Sequence, residues 1–168
     1  MTLTTHAVVG AGISSAFGLM PGGSFLAGFF SHFLLDCLPH WDYDLKSATI
    51  DKVNPLNNDL PICREAVGDF VKIGFDFFLG LSLALIFFTG HGQGYWLSIL
   101  LGAFGGMLPD GLQFLYLKFR HEPLTFFFRF HTFMHAKTEI EDTFWGLFLT
   151  GLVLILALGL GNWSFFIW

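Results

Sequence analysis

Residues 143–168 carry no charged side chain, and the run 144–160 (FWGLFLTGLVLILALGL) is almost uniformly apolar. A helix rises ~1.5 Å per residue, so about 20 such residues cover the ~30 Å hydrocarbon slab of a bilayer. No other stretch restricts the fold as strongly, and this one reads as a transmembrane helix. Asn162, Trp163 and the terminal Phe165, Phe166, Ile167 and Trp168 then resemble an interfacial aromatic anchor. Composition agrees. Of 168 residues, 54% are hydrophobic, 18% aromatic and only 12% charged, and the mean hydropathy is +0.63. A soluble domain carries roughly a quarter charged residues. Twenty-three Phe and five Trp exceed what a soluble core of this size can hide. The length fits one domain, 1–168. Disorder, collagen and a disulfide scaffold are excluded by composition. A net charge of −5 offers no basic surface to neutralise phosphates, so no nucleic-acid partner is expected. Cys37 and Cys63 form no CxxC pair and read as packing thiols.

Two more spans follow. One covers 66–89, apolar except for Asp69, Lys72 and Asp76; the other covers 95–117, apolar except for Asp110. Their connection, His91-Gly92-Gln93-Gly94, is short and uncharged, which makes them an antiparallel hairpin. Gly102 and Gly106 have the small-xxx-small spacing that lets helix backbones approach closely. The stretch 3–35 is also charge-free but is cut by Pro21-Gly22-Gly23, and the piece 24–35 is too short to cross alone. Either it is one long broken span, or it enters, turns at Pro-Gly-Gly and returns. A cleaved signal peptide is disfavoured, since no Lys or Arg precedes the apolar run. The expected fold is an all-α integral membrane protein: a small bundle of three transmembrane helices, a broken or re-entrant N-terminal helical pair, and an interfacial amphipathic helix. All eight Lys and Arg lie in 46–72 or 118–137. The hairpin puts the polar segments 38–65 and 118–142 on one side, and the positive-inside rule makes that side cytoplasmic. The expected location is a bacterial inner membrane.

Charging a group at the bilayer centre costs roughly 2.5–3.5 kcal/mol, so acids and imidazoles within or beside apolar helices need partners or a function. The densest group is the stretch SHFLLDCLPHWDYD at 31–44. His32 and Asp36 are i and i+4 on one helix face. Pro39 ends that helix, so His40 and Asp42 can fold back over the same face. Four imidazole or carboxylate groups in eleven residues suit a borderline divalent metal such as Zn²⁺, with Mn²⁺ as a second possibility. The competing reading is a solvated loop after a capped helix end. In FHTFMHAKTE at 130–139, a helix would set His131, His135 and Glu139 on one face. The bland alternative there is an amphipathic interfacial helix, with Phe126, Phe127, Phe128, Phe130 and Phe133 in lipid and His and Lys facing water. His6 opens the first apolar helix and, if that segment is re-entrant, returns to the level of His32 and His40. Asp110 follows Pro109, which removes a helical hydrogen bond. Asp76 is either an ion-pair partner of Lys72 or a ligand; Asp69 reads as interfacial. His91 and His121 read as loop residues. The remaining candidates all fall at one end of the bundle, whereas random polar residues would scatter over both.

These features resemble a known family. Thr5-His6-Ala7-Val8-Val9-Gly10, the Leu-Pro-(Asp/His) signatures, the spans and the late His pair are similar to the LexA-binding, inner-membrane-associated family of metal-dependent hydrolases. More distantly, His32-xxx-Asp36 with Pro39-His40, then His131-xxx-His135, resembles ligand spacings in zinc-dependent phospholipase C and P1-type nucleases. In this chain the first Leu-Pro site reads Leu38-Pro39-His40-Trp41-Asp42. The second, Leu108-Pro109-Asp110-Gly111, lacks the family's trailing acid-His pair. The resemblance implies a membrane hydrolase acting on a phosphoester or lipid-like substrate. Its metal ligands would be His6, His32, Asp36, His40, His131 and His135, with Asp42 or Asp110 as general base or bridging ligand. Two alternatives use the same residues: a divalent-cation or proton transporter, and a non-catalytic subunit with haem between His6 and His32. No Ser-His-Asp signature, HExxH, P-loop or GxGxxG points to another enzyme class.

Overall fold

The computed structural model describes residues 1–89, 95–137, 140 and 142–163. Among the described residues six α-helices carry the fold: α1 (Leu3–Ala16), α2 (Pro21–Asp36), α3 (Val67–Phe88), α4 (Trp96–Phe119), α5 (Leu124–Met134) and α6 (Thr143–Trp163). Three of these described helices are long and apolar enough to cross a membrane: α3 with its 3-10 lead-in from Arg64, α4, and α6. Their outer faces are apolar. Phe75 and Phe78 on α3, Phe104 on α4, and Trp145, Phe148 and Ile155 on α6 are exposed. A water-soluble monomer rarely leaves so continuous an apolar surface bare.

Helix α1 sits at the centre and packs against α2, α3, α4 and α6. Its sequence, LTTHAVVGAGISSA, explains why: small side chains all round let four neighbours approach at once. The core is correspondingly small-grained, with Ala7, Val8 and Ala11 of α1 against Ala84 and Phe88 of α3, Ile99, Ala103 and Met107 of α4, and Ala157 of α6. The Gly102/Gly106 stripe on α4 does what its spacing predicts. A Cβ added at Gly102 would run into the Gly10 carbonyl, and one at Gly106 into the His6 carbonyl.

At 14 and 16 residues, α1 and α2 are roughly 21 and 24 Å long. They form a hairpin, because His6 near the start of α1 stacks on His32 near the end of α2, with ring centroids 3.9 Å apart. The reversal precedes Pro-Gly-Gly. It falls after α1, where Gly18 takes φ +56, and Pro21 is the first residue of α2. Proline suits a first helical position, where its missing N–H has no partner to lose.

The α3–α4 pair is antiparallel: Phe70 meets Phe114 at one end (centroids 5.9 Å), and Phe88 and Ile99 share the core at the other. Helix α6 starts where Gly146 abuts Trp41 and ends where Ser15 Oγ donates to the Gly161 carbonyl at 2.7 Å. One end of the bundle therefore collects the start of α1, the end of α2, the start of α3, the end of α4, and α5. Segment 38–65 lies there too, tied down by a Thr49–Asp59 bridge and by Lys118, which reaches Asp59 at 3.1 Å.

Candidate metal centre

Asp36 is the hub. It closes α2 with 1% exposure. Its Oδ2 lies 3.1 Å from His32 Nε2 and 3.3 Å from His131 Nε2. The two imidazole nitrogens are 2.9 Å apart, and Asp110 Oδ1 is 3.7 Å from the first and 3.4 Å from the second. Four donor atoms from α2, α4 and α5 thus face one another. Ligands held ~2.05 Å from a tetrahedral Zn²⁺ lie ~3.3 Å apart. Five of the six edges of this quartet scatter closely around that spacing.

The tautomers suit a metal. His32 Nδ1 donates to the Gly106 carbonyl at 2.8 Å, so a neutral His32 turns its lone pair at Nε2 inward. His40 Nδ1 donates to the Leu38 carbonyl at 2.8 Å and His135 Nδ1 to that of Ala136 at 3.2 Å. Metal-binding histidines are commonly oriented by such a bond from the other ring nitrogen. Asp36 Oδ2 is buried and makes no hydrogen bond of good geometry, although it faces the His32 and His131 nitrogens. Buried polar atoms rarely go unpartnered. The donor set and its orphaned Asp36 Oδ2 therefore fit a divalent cation.

Electrostatics point the same way. Burial opposes charging His131, but Asp110 and Asp36 outweigh it and raise its pKa to about 9. With His32 Nδ1 already donating, the 2.9 Å contact between Nε2 atoms takes its proton from His131. A proton on His131 thus links the His32 imidazole with the Asp36 and Asp110 carboxylates. Burial also works against ionising Asp42, yet the His135 and His40 imidazoles beside it keep its carboxyl well below the usual range.

A second group adjoins the first. His40 Nε2 is 3.2 Å from Asp42 Oδ2 and 3.8 Å from Asp36 Oδ1; His135 Nε2 is 3.8 Å from Asp42 Oδ2. Backbone pairing builds it: Ala136 N–H donates to the Asp36 carbonyl at 2.7 Å and Ile140 N–H to that of His40 at 2.9 Å. This zips the chain after α5 along the chain after α2 and brings the His40 and His135 rings to 4.6 Å.

All eight candidate residues thus meet at one end, though not with equal roles. His6 joins neither donor group; it touches Asp36 Oδ1 at 3.2 Å and stacks on His32. That stacking leaves no gap for a porphyrin between the two rings. His131 and His135 do not chelate one ion as a helical pair, because α5 stops at Met134 and His135 is already extended (φ −66, ψ 136). His131 turns inward at 4% exposure while Phe126 and Phe133 face out, so the reading that put this histidine in water is corrected. Glu139 and His91 lie outside the described residues. His121 is an exposed loop residue.

Asp76 is neither partner to Lys72 nor ligand. Its carboxylate accepts Leu3 N–H at 2.7 Å and Thr4 N–H at 3.0 Å, capping α1 from another helix. Lys72 instead meets Asp69 at 3.3 Å. Asp69 is buried and holds Ser47 through its N–H (2.8 Å) and Oγ (2.7 Å). Cys37 and Cys63 are exposed free thiols, not core packing.

A cavity of about 890 Å³ opens beside the cluster. Asp42, Asp110, His131 and His135 border it, and its far wall is apolar, including Phe70, Phe77, Phe104 and Met107. Tyr43, which the sequence did not single out, also lines it. Burial and then Asp76 push its phenol up, so it stays a proton donor. Comparison of the chain with family models, with curated proteins and with solved structures gives no match.

Proposed function

We propose that this protein is a membrane-embedded, metal-dependent hydrolase acting on a phosphoester or lipid-like substrate at the cytoplasmic interface. The observation that carries this reading is the His32–Asp36–Asp110–His131 quartet, of which Asp110 and His131 border a largely apolar cavity. When bound, a divalent cation, Zn²⁺ or Mn²⁺, would lower the pKa of a water towards ~7 and polarise the scissile group. The chain's own residues do the rest. His32 and His131 supply neutral nitrogens, and Asp36 and Asp110 supply charge. Asp42, at the cavity edge between His40 and His135, would accept a hydrogen bond from the attacking water and orient it. Tyr43 can donate to the leaving oxygen.

The apolar wall suits an acyl chain, while the cluster suits its ester head. In this reading α1 and α2 form a re-entrant pair, too short to cross, and α5 lies along the membrane surface with Phe126 and Phe133 in lipid. The clustering of Lys and Arg at the same end supports a cytoplasmic placement in a bacterial inner membrane. A transporter would need polar groups along the whole path. On α3 and α4 the described residues of the opposite half, 77–89 and 96–107, contain no ionisable side chain.

The test uses the full chain in detergent, stripped with chelator and reloaded with Zn²⁺ or Mn²⁺. Hydrolysis of a chromogenic phosphodiester or of phospholipid in mixed micelles should return with metal and be absent in Asp36→Asn and His131→Ala. Loaded protein inactive on every phosphoester and phospholipid tried, yet carrying metal across liposomes, would replace this reading with the transporter.

A further inference from the structure

We propose that the cavity binds a membrane lipid with an anionic phosphate head, its acyl chain lying between α3 and α4 and its head charge met by Lys52 and Lys137. This deepens the reading of a lipid-like substrate and rests on the quartet holding a cation. Two helices build the wall in the same way. Phe70, Ile73 and Phe77 on α3, and Phe104, Met107 and Gly111 on α4, each follow the i, i+3, i+7 spacing that sets side chains on one helix face. Both stripes run along segments long and apolar enough to cross a membrane. From Asp110 to Phe104 the α4 stripe reaches ~9 Å further into the span. A space of about 890 Å³ with such a wall does not hold ordered water, which needs several polar partners per molecule. Hydrocarbon is what surrounds the helices at that depth. Gly111 keeps the stripe open beside Asp110, since nothing stands within 4 Å of where its Cβ would be.

The chain alone gives no selectivity, because the surrounding lipid tails are as apolar as this wall. Selectivity must come from the head. Lys52 and Lys137 border the cavity and are exposed. Among the described residues neither has an ion-pair partner, whereas Lys72 pairs with Asp69 and Lys118 with Asp59. Two acids on the same rim are engaged. Asp51 accepts the Val53 and Asn54 N–H groups, each at 2.9 Å, and Asp59 holds Lys118 at 3.1 Å. Two ammonium groups are therefore available to an incoming anion. A phosphate set between them and a loaded quartet has its charge matched from both sides. Its chain then runs along α4 from Asp110 towards Phe104.

Photolabelling reads this site without turnover. The full chain, loaded with Zn²⁺ in phosphatidylcholine vesicles, receives a minor share of a phosphonate analogue of phosphatidic acid. The carbon–phosphorus bond of this probe is not hydrolysed, and a diazirine sits on its acyl chain. Labels should fall on the cavity residues of 70–77 and 104–111. A phosphatidylcholine probe with the same chain should mark outward residues such as Phe75 and Phe78 instead. Lys52→Gln and Lys137→Gln, both at exposed positions, should each lower cavity labelling about fivefold. Gly111→Phe should block it while Zn²⁺ is retained. The two wild-type measurements need no variant to fold. Labels confined to outward faces with the anionic probe, or equal cavity labelling by the choline probe, overturn the proposal even if the protein hydrolyses esters. Undiminished labelling in both lysine variants overturns it too. Selective cavity labelling in a protein that cleaves no phospholipid would uphold the lipid site and sink the hydrolase reading instead.

Discussion

Replacing Gly106 by alanine should damage the metal centre without touching a single ligand. Gly106 lies in the middle of α4, where alanine normally gains about 0.5–1 kcal/mol over glycine. Here the new Cβ runs into the carbonyl of His6, a backbone atom of the central helix that cannot rotate away. Helices α1 and α4 must separate, and overpacking of this kind costs roughly 1–3 kcal/mol, which outweighs the propensity gain. The same shift moves the Gly106 carbonyl that orients His32 through the 2.8 Å bond to Nδ1. Losing such an orienting partner weakens metal binding by about 10–100-fold. Gly111 is the control: it lies on the same helix with nothing within 4 Å of a would-be Cβ. Gly111→Ala should therefore keep wild-type affinity and melt slightly higher. Both quantities are accessible in detergent, by competition against a chromogenic chelator and by thermal unfolding. Wild-type affinity in Gly106→Ala, or equal damage in both variants, would refute the link between the glycine stripe and the site.

Asp76→Ala removes the cap from two α1 amides and should destabilise the protein by roughly 2–4 kcal/mol in thermal or denaturant unfolding, while metal stoichiometry stays unchanged. A loss of metal without a loss of stability would make Asp76 a ligand after all. For His131 the sign follows from a pKa raised to about 9: its ion pairs stabilise the metal-free protein fully below pH ~6.5 and cease to do so as pH rises through about 9. Metal competes with that same proton, so the gain in melting temperature on adding Zn²⁺ should grow from pH 6 to 9. A gain that shrinks over this range would contradict the assignment. Cys37 and Cys63 are exposed at the end of the bundle that bears the site, so both should react with a membrane-impermeant maleimide from the same side of sealed vesicles. Labelling from opposite sides would break the topology.

The spans were legible because length and apolarity are local properties. The expected runs 66–89, 95–117 and 144–160 match α3, α4 and α6 within a few residues. His32 and Asp36 were legible for a similar reason, as i and i+4 on one helix. What the sequence hid depends on distant partners. Nothing in FHTFMHAKTE announces that the helix ends at Met134; the stop is tied to the backbone pairing of Ala136 with Asp36, a hundred residues earlier. Splitting His131 from His135 follows from that pairing. Asp76 could not be read as a cap, because the amides it accepts belong to Leu3 and Thr4. Asp110 was left between base and ligand, since its 3.4 Å approach to His131 depends on how α5 docks against α4.

X-ray absorption at the metal edge of the loaded, detergent-purified protein addresses the central claim most directly. Histidines and aspartates drawn from α2, α4 and α5 should give nitrogen and oxygen scatterers at about 2.0–2.1 Å for Zn²⁺, with the outer-shell pattern of imidazole rings. That pattern should weaken in His32→Ala and His131→Ala. A hydrated ion without imidazole scattering, or a spectrum indifferent to both substitutions, would contradict the account.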